Sequence, residues 1–242
     1  IMLLINWRLS AEEMSFNLND CQPKLVFADK EFQATMEEIK EKLTSVKDYY
    51  NLGPEGGDFL DFNALMDNQG DFEQENVSST DGFVIIHTAA VAGRPRGALV
   101  SHANILCANT QFDYLLNVTE KDVHLSMLPL FHVAGLFLAT TAFQAGALNV
   151  NMNKFDADWA VDLIEAHRVT MMFTFAPILS SVLEAQEKSG KDIKTFKIAA
   201  GLDSPETIEK FKQITGGNFY CMYGQTETSC VATFGAYDDA PG

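Results

Sequence analysis

The sequence predicts an α/β protein built as layered, largely parallel sheets covered by helices. Three observations carry this. From residue 82 onward, short apolar runs of strand length alternate with longer segments of helical period. Several of the helical segments open on strong caps, at Ser101, Asp156 and Ser204. Composition agrees: 47% hydrophobic and 21% charged residues in a chain of 242 is ordinary for a globular protein with room for one large core or two small ones.

Residues 1–47 read as strand, helix, strand, helix. Ser10-Ala11-Glu12-Glu13 has the form of a capping box, in which the serine oxygen accepts from the amide of Glu13 and the glutamate reaches back, so a short helix to about Asn19 is expected. Residues 24–28 are a compact apolar strand, and 32–43 an amphipathic helix. Residues 48–80 are acidic and weakly periodic, which predicts a long irregular connection with a single helical turn near 62–66. Strands follow at 83–88 and 98–100, then a helix from Ser101 to about Leu116. Beyond it come a strand at 123–128, a helix at 133–144, a strand at 147–151 and a helix capped by Asp156 through His167. Residues 170–175 are strand, 177–187 helix and 196–200 strand. Ser204-Pro205-Glu206 opens the last helix, with Ser at the cap and Pro at the first position, and 218–222 is the last clear strand.

Charge narrows the partners. Seventeen Lys and Arg stand against 33 Asp and Glu, a net charge of −16. Nine of the acids lie between Asp48 and Asp81, where there is no Lys or Arg. Such a chain has no basic face for nucleic acid or for an anionic membrane. The longest apolar stretches, such as 133–142, are too short to form a transmembrane segment, and no secretory leader opens the sequence. Cys21, Cys107, Cys221 and Cys230 form no C-x-x-C pair and have no His at ligand spacing, so neither zinc nor disulfides are expected. Reduced thiols then fit a cytoplasmic location.

Three loops could carry chemistry, since ligands of open α/β sheets gather at the carboxyl ends of strands. The first, Thr88 to Gly97, sets Arg94 and Arg96 among small residues. It suits either an anion, gripped by guanidinium and backbone N–H groups, or a tight connection with arginines in water. The second, Leu128 to Gly135, offers His132 either to a carboxylate ligand or as a packing and capping residue. The third, Tyr223-Gly224-Gln225-Thr226-Glu227-Thr228, sets an aromatic face, two hydroxyls, an amide and a carboxylate at one strand end. That inventory can stack a base, bond a phosphate and hold Mg²⁺, and it can equally form a polar turn.

Taken in order, these segments resemble the large N-terminal domain of the adenylate-forming, AMP-binding superfamily, which includes acyl-CoA synthetases, peptide-synthetase adenylation domains and luciferases. Ile5 to Ser10 is similar to the family's P-[IL]-N-x-R-L-[ST] segment. Gly93 to Gly97 with Ser101-His102-x-Asn104 is similar to G-x-P-K-G-x-x-x-[ST]-H-x-N. Pro129 to Gly135 resembles P-x-[FY]-H-x-x-G, and Tyr223 to Glu227 matches Y-G-x-T-E. The resemblance implies an ATP-dependent ligase, in which a carboxylic acid is adenylated and then passed to CoA, with fatty or other apolar acids as substrates. Within it Tyr223 would lie against adenine with Gly201, Gly224 and Gln225 nearby, and Thr226 would bond the α-phosphate. Glu227 and Thr88 would serve Mg²⁺. Thr88, Ala89, Ala90 and Gly93 would follow the phosphates, with Arg96 in place of the family's lysine. His132 would stand beside the substrate carboxylate.

Two departures stand out. Ala89, Val91 and Ala92 replace the hydroxyl donors usual in the phosphate loop, and Ala90 replaces a Gly. The loop at 200–204 is one residue shorter than G-G-A-P-L. Weakened nucleotide handling is therefore expected. Residues 1–80 would be part of a first subdomain and 81–242 the nucleotide- and acyl-binding subdomain. The ribose-binding T-G-D, the hinge and the mobile C-terminal domain with its lysine do not occur in the sequence, so this piece alone is expected not to turn over. Apolar surface where absent portions would pack would favour homo-oligomers. Phe131, Val133, Leu136, Phe173, Phe175 and Ile178 suit an acyl pocket or plain core packing. A degenerate binding module and an adenylation domain serving a carrier protein are the alternative readings.

Overall fold

The computed structural model describes residues 1–53, 57–67, 69–71, 73–88 and 94–239. It divides into two compact units, Ile1–Leu99 and Val100–Gly242.

In the first unit, β1 (Met2–Leu4) leads to α1 (Ala11–Cys21). The predicted capping box forms: Ser10 Oγ accepts from the Glu13 amide at 3.3 Å, and the Glu13 carboxylate accepts from the Ser10 N–H at 2.9 Å. Next come β2 (Leu25–Ala28), α2 (Lys30–Ile39), β3 (Asp48–Asn51), β4 (Leu60–Asp61) and the one-turn α3 (Asn63–Met66). Strands β2, β3 and β4 make a parallel sheet. The acidic connection is thus more ordered than its sequence suggests. Tyr49 packs on Phe59 with ring centroids 5.2 Å apart, and the buried Asn51 accepts from Gln33 Nε2 at 2.7 Å and donates to the Gly53 carbonyl. Met14, Leu18, Val26, Met36, Ile39 and Leu43 form the core beneath.

Strand β5 (Gly82–Thr88) pairs in parallel with β1, Leu3 facing Ile85, and β6 (Arg96–Ser101) follows β5 in the sheet. This long-range pairing draws β5 into the first unit. The division therefore falls after Leu99, whereas the sequence reading puts it after residue 80.

The second unit alternates α4 (His102–Leu116), β7 (Val123–Ser126), α5 (Val133–Gln144), β8 (Leu148–Asn151), α6 (Ala157–His167), β9 (Met171–Phe175), α7 (Ile178–Ser189), β10 (Ile198–Leu202), α8 (Pro205–Thr215) and β11 (Asn218–Tyr223). A final strand, β12 (Thr233–Ala236), returns antiparallel to β11. The sheet order is β12-β11-β10-β9-β7-β8, parallel from β11 to β8. Ser101, Asp156 and Ser204 cap their helices through side-chain oxygens, as their positions predict. The first four residues of β9 are all buried, which is what a strand covered on both faces requires. Phe196, Phe211, Phe219, Ile164, Leu179 and Leu183 lie at the centre of the core, each contributing about 1.5–3 kcal/mol by burial.

Candidate active site

Strand order sets where a ligand site is expected. From β7 the chain moves outward to β8, then crosses back to place β9 on the other side of β7. Loops leaving neighbouring strands on either side of such a reversal part from one another, and a cleft opens at the carboxyl ends. Leu202 lies level with Phe175, and Gly201 is level with both Thr174 and Cys221. The segments after β7, β9, β10 and β11 therefore leave adjoining strand ends.

His132 follows β7 and caps α5, its Nδ1 accepting from the Ala134 amide at 3.2 Å. That bond requires a lone pair on Nδ1, so the neutral ring carries its proton on Nε2. Desolvation holds the His132 pKa below the usual histidine range, which keeps the ring neutral at pH 7. The capping role that the sequence allowed is thus present, and it leaves an Nε2–H donor for a ligand. Gly135 lets α5 close on this loop: a Cβ there would lie 2.4 Å from the Pro129 carbonyl oxygen.

Gly201 has φ +147°, and a Cβ on it would meet the Thr174 carbonyl oxygen at 1.7 Å, so no other residue fits at this strand end. Two buried side-chain oxygens close by, Thr174 Oγ1 on β9 and Asp203 Oδ2 just after β10, have no hydrogen-bond partner among the described residues. The sequence reading did not single out either residue. Thr174 did carry a signal, as a lone hydroxyl inside an otherwise apolar strand. Unpartnered buried oxygens are uncommon in folded proteins and fit a polar ligand seated at this edge.

Tyr223 ends β11 with 66% of its surface exposed, an uncovered aromatic face. Gly224 follows where a Cβ would lie 1.6 Å from the Cys230 carbonyl oxygen. Gln225 donates its N–H to Thr228 Oγ1 at 3.1 Å, and the chain makes a single 3-10 turn over Thr226–Thr228. Ser229 and Cys230 close the turn with φ of 57° and 91°, a left-handed pair held by the Cys230 N–H to Gln225 carbonyl bond. Thr226 is buried and Glu227 exposed, with no ion-pair partner for Glu227 among the described residues. Adenine stacking, a hydroxyl for phosphate and a carboxylate for a hard cation are all available in this turn.

In the first unit, Thr88 ends β5 and Arg96 begins β6. Thr88 Oγ1 donates to the Arg96 carbonyl at 3.4 Å, joining the two ends of the predicted phosphate segment, and Arg96 itself is exposed. Ala89, Ala90 and Gly93, with Val91 and Ala92, lie outside the described residues.

Val133, Leu136 and Phe173 are buried as core, and Ile178 packs against the core of the second unit. A cavity of about 210 Å³ lies elsewhere, among Gln111, Phe112, Leu115, Phe137 and Phe234, and none of the six expected acyl-lining residues borders it. It falls below the roughly 300–1,000 Å³ of ordinary ligand pockets, so no substrate length is read from it.

A family model described as "AMP-binding enzyme" matches residues 1–242. The chain belongs to the AMP-binding enzyme family. Relatives in this family include an indoleacetate–CoA ligase of Aromatoleum aromaticum, 28% identical over 97% of this chain and 47% of that protein. A medium-chain fatty-acid–CoA ligase of Escherichia coli K12 is 27% identical over 95% of this chain and 42% of its own length. Among solved structures, a Rhodopseudomonas palustris CGA009 protein provisionally assigned as a long-chain-fatty-acid CoA ligase superposes with a TM-score of 0.93. It is 41% identical and is matched over 100% of this chain and 60% of that one. The chain thus spans about half the length of these curated relatives. Its α/β architecture is that of the N-terminal domain of acyl-CoA synthetases. No helix among the described residues is long and apolar enough to cross a membrane.

Proposed function

We propose that this chain supplies the nucleotide- and carboxylate-binding part of an AMP-forming acid–thiol ligase acting with ATP and CoA on a fatty or other apolar carboxylic acid. The observation that supports it most is the strand-order reversal at β7/β9, where ligands of open α/β sheets gather. Along the carboxyl ends of β7, β9, β10 and β11 lie the Nε2–H donor of His132, the open ring of Tyr223, the Thr226 hydroxyl and the buried oxygens of Thr174 and Asp203 that lack partners among the described residues. Relatives are named for medium-chain fatty acid, indoleacetate and 2-succinylbenzoate, and the first two support an apolar acid.

In this reading Tyr223 stacks on adenine and the Thr226 hydroxyl donates to the α-phosphate. His132 donates from Nε2 to one carboxylate oxygen and leaves the other to attack the α-phosphorus. A C–O–P linkage forms and pyrophosphate leaves. The CoA thiol then loses its proton and attacks the acyl carbonyl, and AMP departs. Arg96, on the first unit, keeps the phosphate-gripping role that the family resemblance implies for it. Glu227 suits Mg²⁺, a cation that prefers oxygen ligands and, when bound, neutralises phosphate charge, and Thr88 of the first unit carries an oxygen donor of the same kind. Positioned donors of this kind are the main source of catalysis where charge develops on phosphate oxygens.

Pyrophosphate exchange tests the proposal. Carboxylate-dependent exchange with medium-chain or arylacetic acids is expected, and its absence across such a panel would overturn it. The Ala89, Val91 and Ala92 substitutions favour a second reading, a site with weakened nucleotide grip, because each hydroxyl bond lost to an anion costs about 1.5–3 kcal/mol. Restoring hydroxyls with Ala89→Ser and Ala92→Thr should then tighten ATP binding by about tenfold or more in calorimetry. Unchanged affinity would remove that reading.

A further inference from the structure

We propose that Asp20, Cys21 and His87 form a binding site for a zinc-class divalent metal ion in the first unit. Sixty-six residues separate Cys21 from His87, so the pair is invisible to a spacing rule that looks only for neighbouring ligands. In the fold Cys21 Sγ lies 4.0 Å from His87 Nε2, which lies 3.6 Å from Asp20 Oδ2. All three ligand atoms fall within 4.8 Å of one another. A tetrahedral zinc ion holds such donors about 3.3–3.6 Å apart, so the imidazole already stands within about half an ångström of that spacing from each partner, and side-chain shifts on the order of 1 Å complete the site. Thiolate, imidazole and carboxylate together select zinc or a similar borderline ion over Mg²⁺ or Ca²⁺.

The surroundings favour a cation. Asp20 and Cys21 end α1, at the negative pole of the helix dipole, and no basic residue occupies its last turn. The His87 side chain is 7% exposed and fixed on β5, while Asp20 is 52% exposed and leaves an entry path. On β6, Gly97 keeps the space beside the ring open: a Cβ there would stand 3.4 Å from Nε2. Two further buried atoms lack partners, His87 Nδ1 and the Oδ1 of Asn17, one helical turn before Cys21. Thr88, proposed above for Mg²⁺, points to the opposite face of the strand.

A nucleophilic relay does not fit. Cys21 and Asp20 both approach Nε2, whereas a relay needs the thiol and the orienting carboxylate on different ring nitrogens. Burial and the Asp20 charge also raise the Cys21 thiol pKa, so without metal it stays protonated near neutral pH.

Titration of the metal-free chain with Co²⁺, followed by competition with Zn²⁺, tests the site. Expected are one ion per chain, a thiolate-to-cobalt charge-transfer band and release of about one proton per ion. Cys21→Ser should abolish the band, and the exposed Asp20→Asn should weaken binding by about tenfold or more. Cys107→Ser should change neither, and far-ultraviolet circular dichroism should show all variants folded. Absence of the band, or its loss in Cys107→Ser with retention in Cys21→Ser, would overturn the proposal.

Discussion

Thr226 is buried, yet its hydroxyl bonds no described residue, while its neighbours Gln225 and Thr228 satisfy one another. Thr226→Ala should therefore leave urea stability within about 1 kcal/mol and lower carboxylate-dependent pyrophosphate exchange by about ten- to a hundredfold, the worth of one charge-assisted bond. Equal losses of stability and activity would show a packing role instead. His124 tests a different balance. It is 2% exposed, its Nδ1 lies 2.7 Å from Asn149 Oδ1, and burial lowers its pKa to about 4. The unfolded chain takes up this proton as pH falls below about 6.5, but the folded chain does so only near 4, so stability drops across that window. Unfolding free energy should fall by about 2 kcal/mol from this residue between pH 7 and pH 5, and His124→Gln should flatten the profile. A profile unchanged by the substitution would contradict the buried neutral ring. Tyr223 to Glu227 is legible in sequence because its chemistry is contiguous. Thr174 and Asp203 are not, because their lack of partners arises only when separate strands assemble.

Helices whose caps are written in the sequence formed where those caps predict. Ser10, Ser101, Asp156 and Ser204 each accept from an amide three residues on, a local interaction that needs no tertiary information. The elements missed are those held by distant partners. Strand β3 depends on β2 for its ladder, β4 has only two residues, and β12 is fixed by Phe234 stacking on Tyr220 at 5.1 Å. Helix α2 gives way at Ile39 to a 3-10 turn over Lys40–Lys42, a change that hydrophobic period alone does not signal. Helix α5 offers a direct test of element docking. Its Gly135 stands against the Leu128 and Pro129 carbonyls, so Gly135→Ala forces the helix start away from its loop. A loss of about 1–3 kcal/mol is expected in urea unfolding, despite the better helix propensity of alanine. A neutral or stabilising outcome would mean that the loop gives way easily.

Across the molecule, the two units hold separate cores under one strongly negative charge of −16, and the acids between Asp48 and Asp81 have no basic residue among them in sequence. Repulsion among exposed charges is screened as the Debye length falls from about 30 Å at 0.01 M salt to about 8 Å at 0.15 M. The thermal midpoint should therefore rise over that range, and a midpoint independent of salt would show the acids to be locally neutralised. The first sheet carries a further consequence, one of timing. Leu4 pairs in register with Ile86, so β1 meets β5, its ladder partner among the described residues, only after some eighty residues more have been translated. At about 5–20 residues per second, that apolar strand waits roughly 4–16 s for β5, an interval in which a chaperone can shield its open edge or a neighbouring nascent chain can capture it.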